Sequence, residues 1–152
     1  MKTVLITGAN KSIGFETARQ LLQQGYFVYL GSRDGQKGQQ AVSQLQSEGL
    51  TNVEAIEIDV DNVDSIKAAR EVLGQKTQTL DVLINNAGIS GSMPQTSLEA
   101  DASIFRQVFE TNFFGVIDVT QAFMDLLKQS PEPRIVNVTS GLGSLTLHSD
   151  PT

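Results

Sequence analysis

The feature that most constrains this chain is an alternation, from end to end, of short Val- and Ile-rich runs with longer stretches of helical periodicity. The short runs cover residues 3–7, 27–31, 53–58, 82–85 and 134–139. Each is apolar on both faces, the pattern of strands in a parallel sheet buried between helices. Between them, residues 13–24 place Ile13, Thr17, Leu21 and Leu22 on one face and end at Gly25, a suitable C-cap. Residues 38–48 group Ala41, Val42 and Leu45 and stop at Gly49. Residues 62–73 open with Asn62 as a cap and repeat Val63, Ile66, Ala69 and Leu73. Residues 97–129 are predicted helical too, as two helices joined near Thr111 and Asn112. Strand–helix–strand repetition predicts right-handed crossovers and an α/β fold, a doubly wound parallel sheet in three α/β/α layers. With no internal repeat, linker or low-complexity tract, residues 1–152 read as one domain.

Composition narrows the function classes. An apolar content of 39% and a charged content of 18% describe an ordinary globular chain. No window approaches the ~18 consecutive apolar residues of a membrane span, so no membrane partner is expected. The N-terminal apolar run breaks at Thr7-Gly8 and reads as a strand, not a signal peptide. There are no cysteines, hence no disulfide, thiolate metal site or thiol nucleophile, which suits a cytoplasmic setting. The net charge of −6 disfavours a nucleic-acid partner. His148, the single histidine, excludes a histidine metal cluster and reads as a polar loop residue beside Ser149, Asp150 and Pro151.

Two segments carry chemistry. The first run leads straight into Thr7-Gly8-Ala9-Asn10-Lys11-Ser12-Ile13-Gly14. Small residues between a strand and a helix let backbone amides approach a pyrophosphate, which the helix N-terminus attracts; a ligand-free connection would use the same residues. The second is Leu80-Asp81-Val82-Leu83-Ile84-Asn85-Asn86-Ala87-Gly88. It puts two amides and a glycine at the C-terminal end of a central strand, where open α/β sheets bind ligands, although Asn-Asn before a glycine also suits a plain turn.

Together these segments resemble the TGxxxGxG turn and the NNAG motif of the short-chain dehydrogenase/reductase family, with Ser12 at the family's middle glycine. The resemblance implies a Rossmann-like nucleotide fold in which Gly8, Asn10, Lys11, Ser12, Ile13 and Gly14 surround the cofactor's pyrophosphate. It further implies that Asn86 steadies the central sheet while Ala87 and Gly88 wall the cofactor ribose. Asp59 and Val60 resemble the pair that contacts adenine. Thr111-Asn112-Phe113-Phe114-Gly115 is similar to the central-helix motif whose asparagine, here Asn112, holds a water of a proton relay through its backbone. Arg134-Ile135-Val136-Asn137-Val138-Thr139-Ser140 is similar to the fifth strand with the catalytic serine. Ser140 would donate a hydrogen bond to the substrate carbonyl as negative charge develops there.

The Asn10–Gly14 turn, Ser32-Arg33-Asp34 with Lys37-Gly38-Gln39, and the Asn112 motif look like those of monomeric carbonyl reductases, which pass a hydride from NADPH to aldehydes and ketones. NAD-specific members carry an acid where Ser32 stands. Arg33 follows it, a guanidinium suited to a 2′-phosphate, and Lys11 would be a second positive contact, so NADP (NADPH) is the expected cofactor. Both charges also read as solvated surface groups. Asp34, about 20 residues past the turn, keeps NAD as the weaker reading.

The family's proton donor is a tyrosine in a YxxxK motif beyond the serine, its pKa lowered by the lysine. The tyrosines here are Tyr26 and Tyr29, and no lysine follows Lys128. The chain therefore reads as an N-terminal portion truncated before that motif, lacking the C-terminal strands and helices. The expected parent is an NADPH-dependent oxidoreductase of the carbonyl reductase type, acting on a small carbonyl or alcohol substrate, with these residues inactive alone. The alternative is a nucleotide-binding sensor or interaction module without catalysis; a sugar-nucleotide epimerase has a differently spaced glycine turn. Uncovered central helices would also favour homo-oligomers.

Overall fold

The computed structural model describes residues 1–87 and 113–138. Within them, strands β1 (Thr3–Ile6), β2 (Phe27–Ser32), β3 (Val53–Glu57), β4 (Val82–Asn85) and β5 (Arg134–Asn137) form one sheet in the order β3-β2-β1-β4-β5. Every pairing is parallel, with Leu5 of β1 beside Tyr29 of β2 and Leu83 of β4. The order reverses at β1: the chain winds outward through β2 and β3, then returns to β4 on the other side. This is the Rossmann-like arrangement, and ligands of such sheets bind at the reversal, beyond the strands' C-terminal ends.

Helices α1 (Ser12–Gln23), α2 (Gly35–Ser47), α3 (Val63–Lys76) and α4 (Gly115–Lys128) cover the two faces. Side chains alternate across a strand, so β1 divides its buried residues between two cores. Val4 and Ile6 pack with Ala18 and Leu22 of α1 and Val42 and Leu45 of α2. Leu5 packs with Ile66 and Leu73 of α3 and Val119 and Phe123 of α4. Truncating fully buried Phe123 to Ala would cost about 3–5 kcal/mol.

Helix limits follow their caps. Gly25 and Gly49 follow α1 and α2 at φ +93° and +85°, the left-handed C-terminal stop. Asn62 caps α3 by accepting the Ser65 N–H. Helix α2 starts at Gly35 instead of Gly38, because Asp34 Oδ1 accepts the Gln36 and Lys37 N–H groups. The buried face of α1 is Gly14, Ala18 and Leu22, not the face through Ile13, which is 67% exposed. Small residues let that helix lie close on the sheet. Val63 is likewise exposed on α3, where Ile66, Ala69 and Leu73 point inward. Burial on both faces holds for β1, β2 and β4, but at the edges Glu54 and Glu57 of β3 face water and β5 is exposed throughout. Helices cover the middle of a twisted sheet first. Among the described residues no helix is long and apolar enough to cross a membrane.

At the opposite end of the sheet, Asp81 gathers three strands. Its Oδ2 accepts the Thr3 N–H at 2.8 Å and its Oδ1 accepts the Ser130 hydroxyl at 2.8 Å, while the Arg134 N–H donates to its carbonyl at 2.9 Å. Burial pushes this carboxyl up. The Thr3 N–H, the Ser130 and Thr3 hydroxyls and the Lys2 charge outweigh that and hold it below its ordinary range. A carboxyl held low in the folded state stabilises fully above the ordinary carboxylate pKa of about 4 and loses that contribution as pH falls through the folded value. Asp81→Asn is therefore expected to cost about 1–3 kcal/mol at pH 7, measured by denaturant unfolding. The gap from the parent chain should narrow below about pH 4; a pH-independent gap would contradict this account.

Candidate functional site

The C-terminal ends of β1 and β4 are laced together. Thr7, 1% exposed, accepts the N–H groups of both Asn86 and Ala87 on its hydroxyl oxygen, each at 3.0 Å. The Asn86 side-chain amide donates back to the Gly8 carbonyl at 3.0 Å, and the Ala9 N–H donates to the Gly31 carbonyl at 2.7 Å. The turn after β1 is thereby pinned to both neighbouring strands.

Within that frame two positions depend on lacking a side chain. Gly8 has φ +61°, and a Cβ there would lie 2.8 Å from Ala87 Cα. A Cβ on Gly14 would lie 2.7 Å from the Gly8 carbonyl oxygen and closer still to Asn86 Nδ2. Ser12 occupies the left-handed region at φ 57° with a side chain in place, a conformation that costs about 1 kcal/mol or more. It stands where the family places a glycine, and the backbone keeps the glycine-like shape.

Above the turn lies a cavity of about 520 Å³, within the usual range for small-molecule sites. It brings together Gly8, Asn10, Lys11, Ser12, Ile13, Arg33, Asp59, Val60, Asn86 and Ala87 of the sequence-derived set. Gly14 lies beneath it, packed against Gly8 and Asn86. Gly88, Asn112 and Ser140 lie outside the described residues. Ile13 is exposed for a local reason: it sits on the first turn of α1 and faces this cavity.

The cavity lining carries three cations and three acids, the acids being Asp34, Asp59 and Asp61. Lys11, Arg33 and Lys37 line it, and none has an ion-pair partner among the described residues. The surrounding acids are partly committed. Asp34 Oδ1 holds the first turn of α2, and one oxygen of Asp59 accepts the Asp61 N–H at 3.0 Å. Arg33 itself projects from a locked turn. The Ser32 hydroxyl, on a residue 1% exposed, donates to the Asp34 carbonyl at 2.9 Å and receives the Asp34 N–H at 3.3 Å. No side chain caps α1, whose first turn borders the cavity, whereas Asp34 and Asn62 cap α2 and α3. Free N–H groups at a helix start favour an anion.

Cavity size, glycine cradle and uncapped helix together fit a dinucleotide. Three residues that the sequence motifs contain, but to which no role was given, also contribute. Thr7 and Asn85 lace the sheet; the Asn85 amide donates to Asn137 at 2.9 Å and to Thr120 at 3.3 Å, tying β4 to β5 and α4. Lys37 enters the cavity because α2 starts early, and the signal for it was Asp34 as an N-cap. Tyr29 is remote in character: burial first, then Glu54, push its hydroxyl up, and it packs in the α3–α4 core.

The family model described as short chain dehydrogenase matches residues 2–150. A short-chain dehydrogenase of Penicillium roqueforti, anuI, is 44% identical over 98% of this chain and 60% of its own length. Mouse (Mus musculus) carbonyl reductase (NADPH) 1 is 42% identical over 90% of this chain and 48% of its own. Among solved structures, salutaridine reductase from Papaver somniferum superposes with a TM-score of 0.87 at 29% identity, covering 96% of this chain and 60% of that one. The chain thus spans about half to three-fifths of the relatives it matches.

The cradle makes two opposite predictions. Gly14→Ala should destabilise the chain by about 1–3 kcal/mol through overpacking against Asn86, whereas Ser12→Gly should gain up to about 1 kcal/mol by relieving the left-handed serine. Thermal unfolding of both variants checks this, and a loss on Ser12→Gly would mean that the hydroxyl itself holds the turn.

Proposed function

Because the chain belongs to the short-chain dehydrogenase family, we propose that it supplies the cofactor-binding portion of an NADPH-dependent carbonyl reductase. The observation that carries this reading is the cluster of Lys11, Arg33 and Lys37 around one cavity, without ion-pair partners among the described residues, in a chain of net charge −6. When bound, the nicotinamide cofactor exchanges a hydride with the carbon of a small ketone, aldehyde or alcohol.

The chain's own residues have distinct tasks in this reading. Amides at the start of α1 and the Gly8 turn receive the pyrophosphate. The Arg33 guanidinium would hold the 2′-phosphate, with Lys37 and Lys11 as further positive charges. Asp34 also lines the cavity, with its Oδ1 held by the Gln36 and Lys37 N–H groups, and keeps NAD as the weaker reading. Asp59 and Val60 face the adenine. By resemblance, Ser140 donates a hydrogen bond to the substrate oxygen and Asn112 holds the relay water. The mouse relative's name carries NADPH as well. A cysteine-free composition supports a cytoplasmic setting. Exposed Phe113, Phe114 and Ile117 at the head of α4 support self-association through that helix, to be checked by concentration-dependent sedimentation.

The second reading, nucleotide binding without catalysis, draws on tyrosine content. Tyr26 and Tyr29 are the chain's tyrosines, and neither lines the cavity. On either reading these 152 residues should bind the nucleotide without turning it over; steady NADPH oxidation with a ketone would overturn that. The cofactor assignment is tested by fluorescence titration. NADPH should bind at least about tenfold more tightly than NADH, and Arg33→Ala or Lys37→Ala should each weaken NADPH about 10-fold or more while leaving NADH within about twofold. Tighter NADH binding would reverse the assignment.

A further inference from the structure

We infer that Ser65, outside the cavity on the first turn of α3, is a positioning residue for the adenine wall formed by Asp59 and Val60. The inference rests on the nucleotide-binding reading above. Asn62 is the N-cap of α3, which puts Ser65 three residues on. In a capping box the side chain at that position turns back to the backbone N–H of the cap residue. Ser65 does something else. Its hydroxyl oxygen passes over the cap and accepts the Asp59 N–H at 2.9 Å. The cap residue's own N–H is already satisfied, because Asn62 donates to the Asp59 carbonyl at 3.0 Å.

The outcome is a closed set of bonds around one residue of the cavity wall. The Asp59 N–H goes to Ser65, its carbonyl receives Asn62, and its Oδ1 receives Asp61. The Ser65 N–H meanwhile donates to Asn62 Oδ1 at 3.1 Å, so the hydroxyl is held by the same cap that starts the helix. Just upstream, the Ile58 N–H donates to the Ser32 carbonyl at 2.9 Å, extending the pairing with β2 to the last residue before the wall. Val60, 9% exposed, drops into the core beside Ile58 and Ile66. The direction in which Asp59 leaves the sheet is thus set from α3, and Ser65 is the side chain of α3 that sets it. If the hydroxyl served helix capping alone, the Asn62 N–H would be its partner.

The role predicts a loss that is blind to the 2′-phosphate. Adenine is shared by NADPH, NADH and 5′-ADP, so Ser65→Ala should weaken all three about five- to tenfold, the size of one hydrogen bond, with the NADPH-to-NADH ratio unchanged. Ser65→Thr keeps the hydroxyl and should restore binding. Titrations of this chain with each nucleotide are run beside thermal unfolding of the unliganded variants. A parent chain that binds none of the three overturns the nucleotide reading and this inference with it. If the parent binds, unchanged affinity in Ser65→Ala, a loss confined to NADPH, or no rescue by threonine overturns the role of Ser65 alone.

Discussion

The hydroxyl oxygen of Thr7 accepts two backbone N–H groups from the residues just after β4, and the rest of the site depends on that junction. A parallel sheet whose order reverses at β1 leaves a gap between the chains departing β1 and β4. Backbone groups in that gap lose water when the helices close over the sheet, and each unpaired one would cost on the order of 1–3 kcal/mol. Thr7 and Asn86 close the gap without filling it. Their side chains satisfy the amides and the Gly8 carbonyl, and the absence of side chains at Gly8 and Gly14 lets the two ends meet. The cavity is the space left above a seam that tight.

Charge follows from the same geometry. A chain with 17 acids and 11 bases has enough carboxylates to pair most of its cations, and Arg19, Arg70, Lys76 and Arg134 are paired. Around the cavity Lys11, Arg33 and Lys37 have no ion-pair partner among the described residues, although Asp34, Asp59 and Asp61 line it as well. Asp34 and Asp59 hold turns. The β2–α2 and β3–α3 connections wall the cavity, Arg33 lying on the first and Asp59 and Asp61 on the second.

Much of this was legible in the sequence, and the losses have physical causes. Strand positions were readable because short apolar runs between helices admit few alternatives. The inward face of α1 was misread because hydrophobicity marked Ile13, while close packing selected Gly14, Ala18 and Leu22. The start of α2 was placed late because a cap is set by a side chain–backbone bond, not by apolar periodicity; Lys37, named only within the Ser32–Gln39 resemblance, was given no role for the same reason. Both-face burial was assumed for every strand, but a sheet has edges, and β3 exposes Glu54 and Glu57 while Val53 and Ile56 stay buried. Gly88, Asn112 and Ser140 keep the standing that resemblance gives them.

The sequence by itself determined the alternation, the parallel sheet, the glycine turn and the family to which the chain belongs, because periodicity and small residues at fixed spacing are local properties. What only the tertiary structure decided is which side chains converge: Lys37 with Arg33 and Lys11, Asn86 under Gly8, and Ser65 behind Asp59. These partners lie on different elements, and their meeting depends on strand order and on how closely each helix approaches the sheet. Distances of that kind are set by packing, which no single segment of sequence encodes.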